Sequence, residues 1–203
     1  MEQKHFTHQL ADAFQQLPGI GPHQARRFVA SLLEKDPACA QHLATLLFAL
    51  HKNIKRCESC FWAFEGEGAA CHICADAKRT SAQLLVVEKD TDLEAVERAG
   101  AYTHRYFVLG GTIAPGATNP EHALRLRELY HRVAKTQPRE VILALGASPE
   151  AETTILYITR MLEAPRTKNK ALCITRLGRG LSTGAELEYS DTDTIAHALE
   201  NRK

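Results

Sequence analysis

The spacing of apolar residues changes once along this chain. In the first quarter they recur at helical intervals. Phe6, Leu10, Ala13 and Phe14 share one face of a stretch from His5 to Phe14, which predicts an amphipathic helix ending near Gln16. A second helix is expected from His23 to Leu33. A third is expected from Ala38 to Leu50, with Leu43, Leu46, Leu47 and Leu50 as its buried stripe.

From Leu84 onward, short continuous apolar runs take over. Leu84-Leu85-Val86-Val87 has the composition of a strand buried on both faces. It is followed by Asp90 to Ala99, with Leu93, Val96 and Ala99 at helical spacing and Gly100 to close the helix. Tyr106 to Leu109, Val141 to Leu145 and Leu172 to Ile174 repeat the strand pattern, and Glu121 to Val133 and Glu150 to Leu162 repeat the helical one. Strands alternating with helices predict a mostly parallel sheet with helices on both faces. The expected fold class is therefore α/β, with an N-terminal helical part and a short C-terminal segment.

Between the first two helices stands Leu17-Pro18-Gly19-Ile20-Gly21-Pro22. The glycines permit a tight turn, and Pro22 suits the first turn of the helix that follows. Helix, glycine turn and helix together form a helix-hairpin-helix pattern. Its backbone could lie close to a phosphate, with N–H groups at the second helix's start aimed at the anion and no base being read. Gly19, Gly21, His23, Arg26 and Arg27 are the candidate DNA contacts. The plainer alternative is an ordinary helical turn with two solvated arginines.

Cys57-x-x-Cys60 and Cys71-x-x-Cys74, ten residues apart, are the most specific signal in the chain. Each pair presents two thiolates from one knuckle, and two knuckles complete the tetrahedral S₄ shell that zinc prefers. A shell filled by protein leaves no position for water, so one structural Zn²⁺ per chain is expected. His72 is either an extra ligand or a solvated neighbour. Cys39 and Cys173 fall outside the pattern, and both are expected to be small core residues.

With 203 residues, the chain has room for one large or two small domains. A net charge of +1 excludes a basic coat, so nucleic-acid contact must come from local patches or repeated subunits. No apolar run is long enough for a membrane span, and Met1-Glu2-Gln3-Lys4-His5 lacks the apolar core of a signal peptide, so a cytoplasmic protein is expected. In a parallel sheet, functional residues collect beyond the C-terminal strand ends, where Glu88, Glu150, Glu152 and the Gly110 to Gly116 loop fall. That loop lacks Gly-Lys-Ser/Thr, which argues against a nucleotide-binding P-loop.

The order of parts resembles the RecR family of bacterial recombination mediators. That family joins a helix-hairpin-helix, a four-cysteine zinc element, a Toprim domain and a short C-terminal segment. The resemblance covers essentially the whole length. It rests on Leu17 to Pro22, the Cys57 to Cys74 block, Val86-Val87-Glu88, Val108-Leu109-Gly110-Gly111, Thr175 to Leu181, and Glu186-Leu187-Glu188-Tyr189 followed by Asp191. It implies a helix-hairpin-helix DNA-binding domain at 1–54, a C4 zinc finger at 55–79, a Toprim domain at 80–175 and an oligomerisation segment at 176–203.

By the same resemblance, the protein is a non-catalytic, nucleoid-associated adaptor in recombinational DNA repair. It would act with RecO, and in some settings RecF, to load RecA onto gapped or single-stranded DNA coated by single-strand-binding protein. The resemblance implies a homo-oligomer, either a dimer or a tetrameric ring. It makes Glu88, Glu150 and Glu152 a partner-binding or weak Mg²⁺ site. The chain departs from the family at His23, where lysine is common, and histidine is mostly uncharged at neutral pH. Further departures are Gly146 to Glu152, where the family shows Asn-Pro-Thr-x-Glu-Gly-Glu, the Pro115 to Pro120 loop, and Ser182 in place of proline.

Two alternatives remain. A Toprim-type Mg²⁺-dependent DNA-processing enzyme would need Asp-x-Asp after a later strand, and no aspartate follows Val141 to Leu145. Asp90-x-Asp92 and Asp191-x-Asp193 are expected instead to cap helices. A plain interaction domain with no DNA role is the other.

Overall fold

The computed structural model describes residues 5–114, 116, 124–178, 180–181, 184 and 186–202. The first residues of the helix expected from Glu121, most of the Pro115 to Pro120 loop, Arg179 and Ser182 lie outside the described residues. The chain divides into two compact units, Met1–Lys55 and Arg56–Lys203.

The smaller unit holds α1 (Phe6–Gln15), α2 (Pro22–Glu34) and α3 (Pro37–Asn53). Helices α1 and α2 pack through small residues: Ala11, Ala25 and Val29 are buried, with Leu10, Phe14 and Ile20 against them. Phe14 meets Phe28 edge-on, with ring centroids 5.7 Å apart. Phe6, expected on the buried face, is 78% exposed. Asp36 caps α3 by accepting the Ala38 N–H at 2.8 Å, and Pro37 fills the first helical position.

Two expectations fail on α3. Its stripe of Leu43, Leu46, Leu47 and Leu50 is exposed, as is Cys39, and the helix has no buried residue. Periodicity marks an apolar face but does not supply an opposing surface, and the unit's small core is already filled between α1 and α2.

Strands β1 (Ile54–Arg56) and β2 (Ala63–Glu65) form a two-stranded sheet, and in the larger unit α4 (His72–Ala75) is a single short turn. The main sheet contains β3 (Gln83–Val87), β4 (Arg105–Val108), β5 (Glu140–Ala144) and β6 (Cys173–Arg176), in the order β4-β3-β5-β6. Every pairing in it is parallel, with Val86 opposite Phe107 and Leu143. Around the sheet lie α5 (Asp90–Ala99), α6 (Leu126–Thr136), α7 (Pro149–Met161) and α8 (Glu163–Lys168). A 3₁₀ turn (Leu187–Tyr189) and α9 (Thr192–Glu200) follow.

The two-residue period of the strands divides the core into two layers. Leu84, Val86, Phe107, Val141 and Leu143 pack against Leu126, Leu129, Val133, Ile155 and Ile158 of α6 and α7. Leu85, Val87, Tyr106 and Val108 face the other way, toward Leu93 of α5 and the buried Cys57, Cys60, Cys71 and Ile73. Helices therefore cover both faces, as the alternation of elements predicts.

The expectation for Cys173 is wrong: it is exposed. Strand β6 is an edge, and it is Ile174 that turns to the core. Cys173 falls on the face where α5 packs on β3 and β4. A polar ladder crosses the strands instead, with Glu140 accepting from Gln83 at 2.6 Å and from Thr175 at 2.8 Å.

Gly100 ends α5 in the left-handed conformation at φ 65°, as expected. Thr154 is fully buried in α7. Its hydroxyl donates to the Glu150 carbonyl at 2.6 Å and accepts the Ile113 N–H at 2.8 Å, pinning the loop after β4. Thr154→Val keeps the shape but strands that N–H, so urea denaturation should show a loss of about 1–3 kcal/mol. Thr154→Ser should recover most of it, whereas equal stability of the valine variant and the parent would contradict the pinning role.

Candidate metal centre and nucleic-acid interface

The four cysteine sulfurs predicted to form a shell do converge. Their Sγ atoms all lie within 4.8 Å of one another, and Cys60 Sγ is 3.6 Å from Cys71 Sγ. Sulfurs about 2.3 Å from a tetrahedral zinc are about 3.8 Å apart, so the set fits such an ion with little adjustment. Cys57, Cys60 and Cys71 are fully buried and Cys74 is partly so.

Local hydrogen bonds shape the knuckles. Cys57 N–H donates to the Trp62 carbonyl, Phe61 N–H to the Cys57 carbonyl and Ala75 N–H to the Cys71 carbonyl. Cys71 N–H reaches Cys57 Sγ at 3.4 Å, so the second knuckle is already attached to a sulfur of the first. Without metal, the thiols share protons. Hydrogen bonds to Cys71 and Cys74, together with burial, push the Cys60 thiol up, while bonds from Cys60 and Cys71 bring the Cys74 thiol down. A metal ion takes the place of those protons and turns the cluster into thiolates.

His72 is exposed and stands edge-on to Trp62, with ring centroids 5.3 Å apart, outside the sulfur cluster. Of its two readings, this placement matches the solvated neighbour.

The cluster is braced against the sheet by residues that spacing did not reveal. Arg56 forms a two-oxygen ion pair with Asp90 at 2.7 and 2.8 Å, and Asp90 also accepts the Ala63 N–H at 2.9 Å. Asp90 thus serves as a clip, while Asp92 provides the helix cap by accepting the Lys89 N–H at 2.8 Å. Arg105 donates to the carbonyls of Ile73 and Asp76, and Arg79 pairs with Glu97 at 2.7 and 2.8 Å. The partners lie far apart in sequence, so periodicity carries no trace of them.

In the smaller unit, the turn between α1 and α2 closes with Ile20 N–H on the Leu17 carbonyl, and Gly19 adopts φ 80°. Gly21 is the N-cap of α2, and Pro22 follows it. Neither can supply a side-chain cap, so the first-turn amides of α2 face outward with the positive end of the helix dipole. His23 and Arg27 are exposed and, four residues apart, share one face of α2. Arg26 is exposed too but borders a groove with His8, Asp12 and Gln15 of α1. The structure thus groups His23 with Arg27 and sets Arg26 apart.

At the C-terminal ends of the strands, Glu88 follows β3 and pairs with Lys89 at 2.9 Å. A Cβ at Gly146 would stand 3.9 Å from Glu88 Oε2, so the chain after β5 runs close beside it. Glu152 pairs with Arg176 at 2.9 Å. Glu150 lies in the first turn of α7, where its own N–H and the Ser148 hydroxyl hold its carboxyl below the usual range. Among the described residues, the four cysteines are the only group of three or more potential ligands with close-set donor atoms.

Comparison with known proteins settles the family. Residues 7–50 match the family described as RecR, helix-hairpin-helix, residues 82–174 match the Toprim domain, and residues 180–203 match RecR, C-terminal. The chain is 38% identical to the Recombination protein RecR of Paenarthrobacter aurescens over 96% of its own length and 94% of the relative's. It is 40% and 39% identical to the proteins of the same name from a Nocardioides species and Treponema pallidum, with the same coverage. This chain belongs to the RecR family. The Toprim match takes in all four strands of the parallel sheet up to residue 174, and the hairpin match takes in the α1–α2 turn. The four-cysteine cluster lies between those two matches.

For this RecR chain, elemental analysis should find about one zinc per chain, because the sulfurs are preset for a tetrahedral ion. Cys57→Ser and Cys71→Ser, which replace buried ligands, should each lower retained zinc at least tenfold after dialysis. Full zinc content in either variant would contradict a four-sulfur site.

Proposed function

We propose that this chain is a non-catalytic, sequence-independent DNA-binding mediator of recombinational repair. In this role it acts with RecO, and in some settings RecF, to load RecA on gapped or single-stranded DNA. The observation that carries the reading is the uncapped start of α2 beside His23 and Arg27, within a segment matching the RecR helix-hairpin-helix. Open backbone amides and a neighbouring guanidinium recognise phosphate, which every DNA sequence presents. The names of the relatives support the recombination role.

With a net charge of +1, one hairpin neutralises only a few phosphates, so several copies acting together are needed for firm binding. The working form in this proposal is a dimer or a tetrameric ring. Exposed Leu46, Leu47 and Phe48 on α3, and Leu187 and Tyr189 near the C-terminus, are among the exposed apolar residues that this reading assigns to self-association. The division into a hairpin domain, zinc finger, Toprim domain and oligomerisation segment belongs to the same reading. Glu88, Glu150 and Glu152 form an acidic rim suited to a basic partner. The reading as a Toprim-type Mg²⁺-dependent DNA-processing enzyme is less well supported, since no aspartate closely follows β5 and both Glu88 and Glu152 are engaged by cations.

Fluorescence anisotropy with labelled DNA of several sequences tests the proposal. Arg27→Ala should weaken binding to all of them alike and lower the log–log salt slope by about 1 per hairpin engaged. Arg26→Ala, altering a residue turned toward the α1 groove, should have a smaller effect. An unchanged slope in Arg27→Ala would place the DNA-binding face elsewhere.

A further inference from the structure

Strand β4 is an edge of the sheet, so the outward N–H and C=O of its last residue have no strand to pair with. Both are nevertheless held. Val108 N–H donates to the Cys60 carbonyl at 2.8 Å, and the Val108 carbonyl accepts from Arg125 Nη1 at 2.9 Å. Arg125 in turn rests over the ring of Phe61, 5.3 Å from its centroid.

Phe61 directly follows a metal-site cysteine and is fixed at φ 63°, a left-handed conformation that is uncommon for such a residue. Its N–H is bound to the Cys57 carbonyl at 2.8 Å and its carbonyl to Arg56 at 3.0 Å, and its ring packs edge-on against Phe107 at 5.3 Å. Both clamps on Val108 therefore lead back to the first cysteine knuckle.

Beyond Val108 the chain turns at Gly110 and Gly111. Leu109 N–H and Gly110 N–H bond the carbonyls of Val87 and Glu88, both at 2.9 Å. A Cβ on Gly110 would meet Arg125 Nη1 at 3.2 Å, so the guanidinium lies directly against this turn. The turn thus touches the clamp on one side and the Glu88 backbone on the other.

We infer that metal loading of the first knuckle sets the position of the Gly110-Gly111 turn through Phe61 and Arg125, and thereby the shape of the crevice edge beside Glu88. Phe61 and Arg125 are positioning residues: they hold the turn. The inference rests on the zinc reading of the cysteines and deepens the acidic-rim reading, because the face offered to a partner then depends on the metal.

Hydrogen exchange on the full chain, zinc-loaded and after chelation, tests this without DNA or partner. Chelation should speed exchange of the Val108 to Gly110 amides at least tenfold more than that of the Ile142 and Leu143 amides of the central strand, which follow the overall loss of stability. Phe61→Leu should give the same local increase while retaining one zinc per chain. If that variant fails to fold, Arg125→Met tests the link from the other side.

Protection at 108–110 that survives chelation, or survives in a variant that keeps its zinc, would overturn the inference. So would a uniform rise across the sheet on chelation, which would make the coupling global. None of these readouts involves DNA, so failure of the hairpin reading and failure of this one are distinguishable.

Discussion

Three of the four cysteine sulfurs are buried in the same apolar cluster as Leu85, Val87, Leu93 and Tyr106, and the larger unit depends on that shared burial. A segment as short as Cys57 to Cys74 cannot enclose a core of its own, and a parallel sheet cannot leave one half of a face bare. Each completes the other. The cysteine element covers β3 and β4 together with α5, Cys60 caps the exposed backbone of β4, and Arg56, Arg79 and Arg105 fasten it to α5 and to the start of β4. A metal ion in the sulfur cluster would fix all of these contacts at once, since the ligands stand next to the residues that make them.

Charge is handled locally in a chain that is nearly neutral overall. On the larger unit, Arg56, Arg79, Lys89 and Arg176 are each matched by a carboxylate. On the smaller unit, His23 and Arg27 stand at a helix start with open amides. That contrast suits a phosphate-reading hairpin joined to a unit that presents carboxylates. The exposed apolar residues of α3 and of the C-terminal segment fit repetition of the chain, which multiplies a small charge without changing the sequence.

Much of this was legible in the residues. Continuous apolar runs marked the four strands, Gly100 marked the end of α5, and the two C-x-x-C pairs marked the sulfur cluster. Where the reading went wrong, the cause was missing information about neighbours. The leucine stripe of α3 shows which residues are apolar but not what covers them, and Cys173 looked like core because its position at the sheet edge depends on strand order. Arg125 and Phe61 could not be singled out, and Asp90, expected to cap a helix, is a clip to Arg56 instead, because these roles arise from contacts between distant segments. Arg26 and Arg27 look equivalent in sequence, and only the packing of α1 on α2 separates them.

The central claim is that the four-cysteine clip is part of the sheet's core. Thermal unfolding, followed at once by calorimetry and by the emission of Trp62, the only tryptophan, tests it most directly. At about a thousandfold excess of zinc over its Kd, binding contributes about 4 kcal/mol, which is about 10 °C for a unit of this size. The account predicts that chelation lowers the Trp62 transition and the main calorimetric transition together by about that amount. A Trp62 transition that falls while the main transition stays in place would mean that the clip melts alone, and would contradict the account.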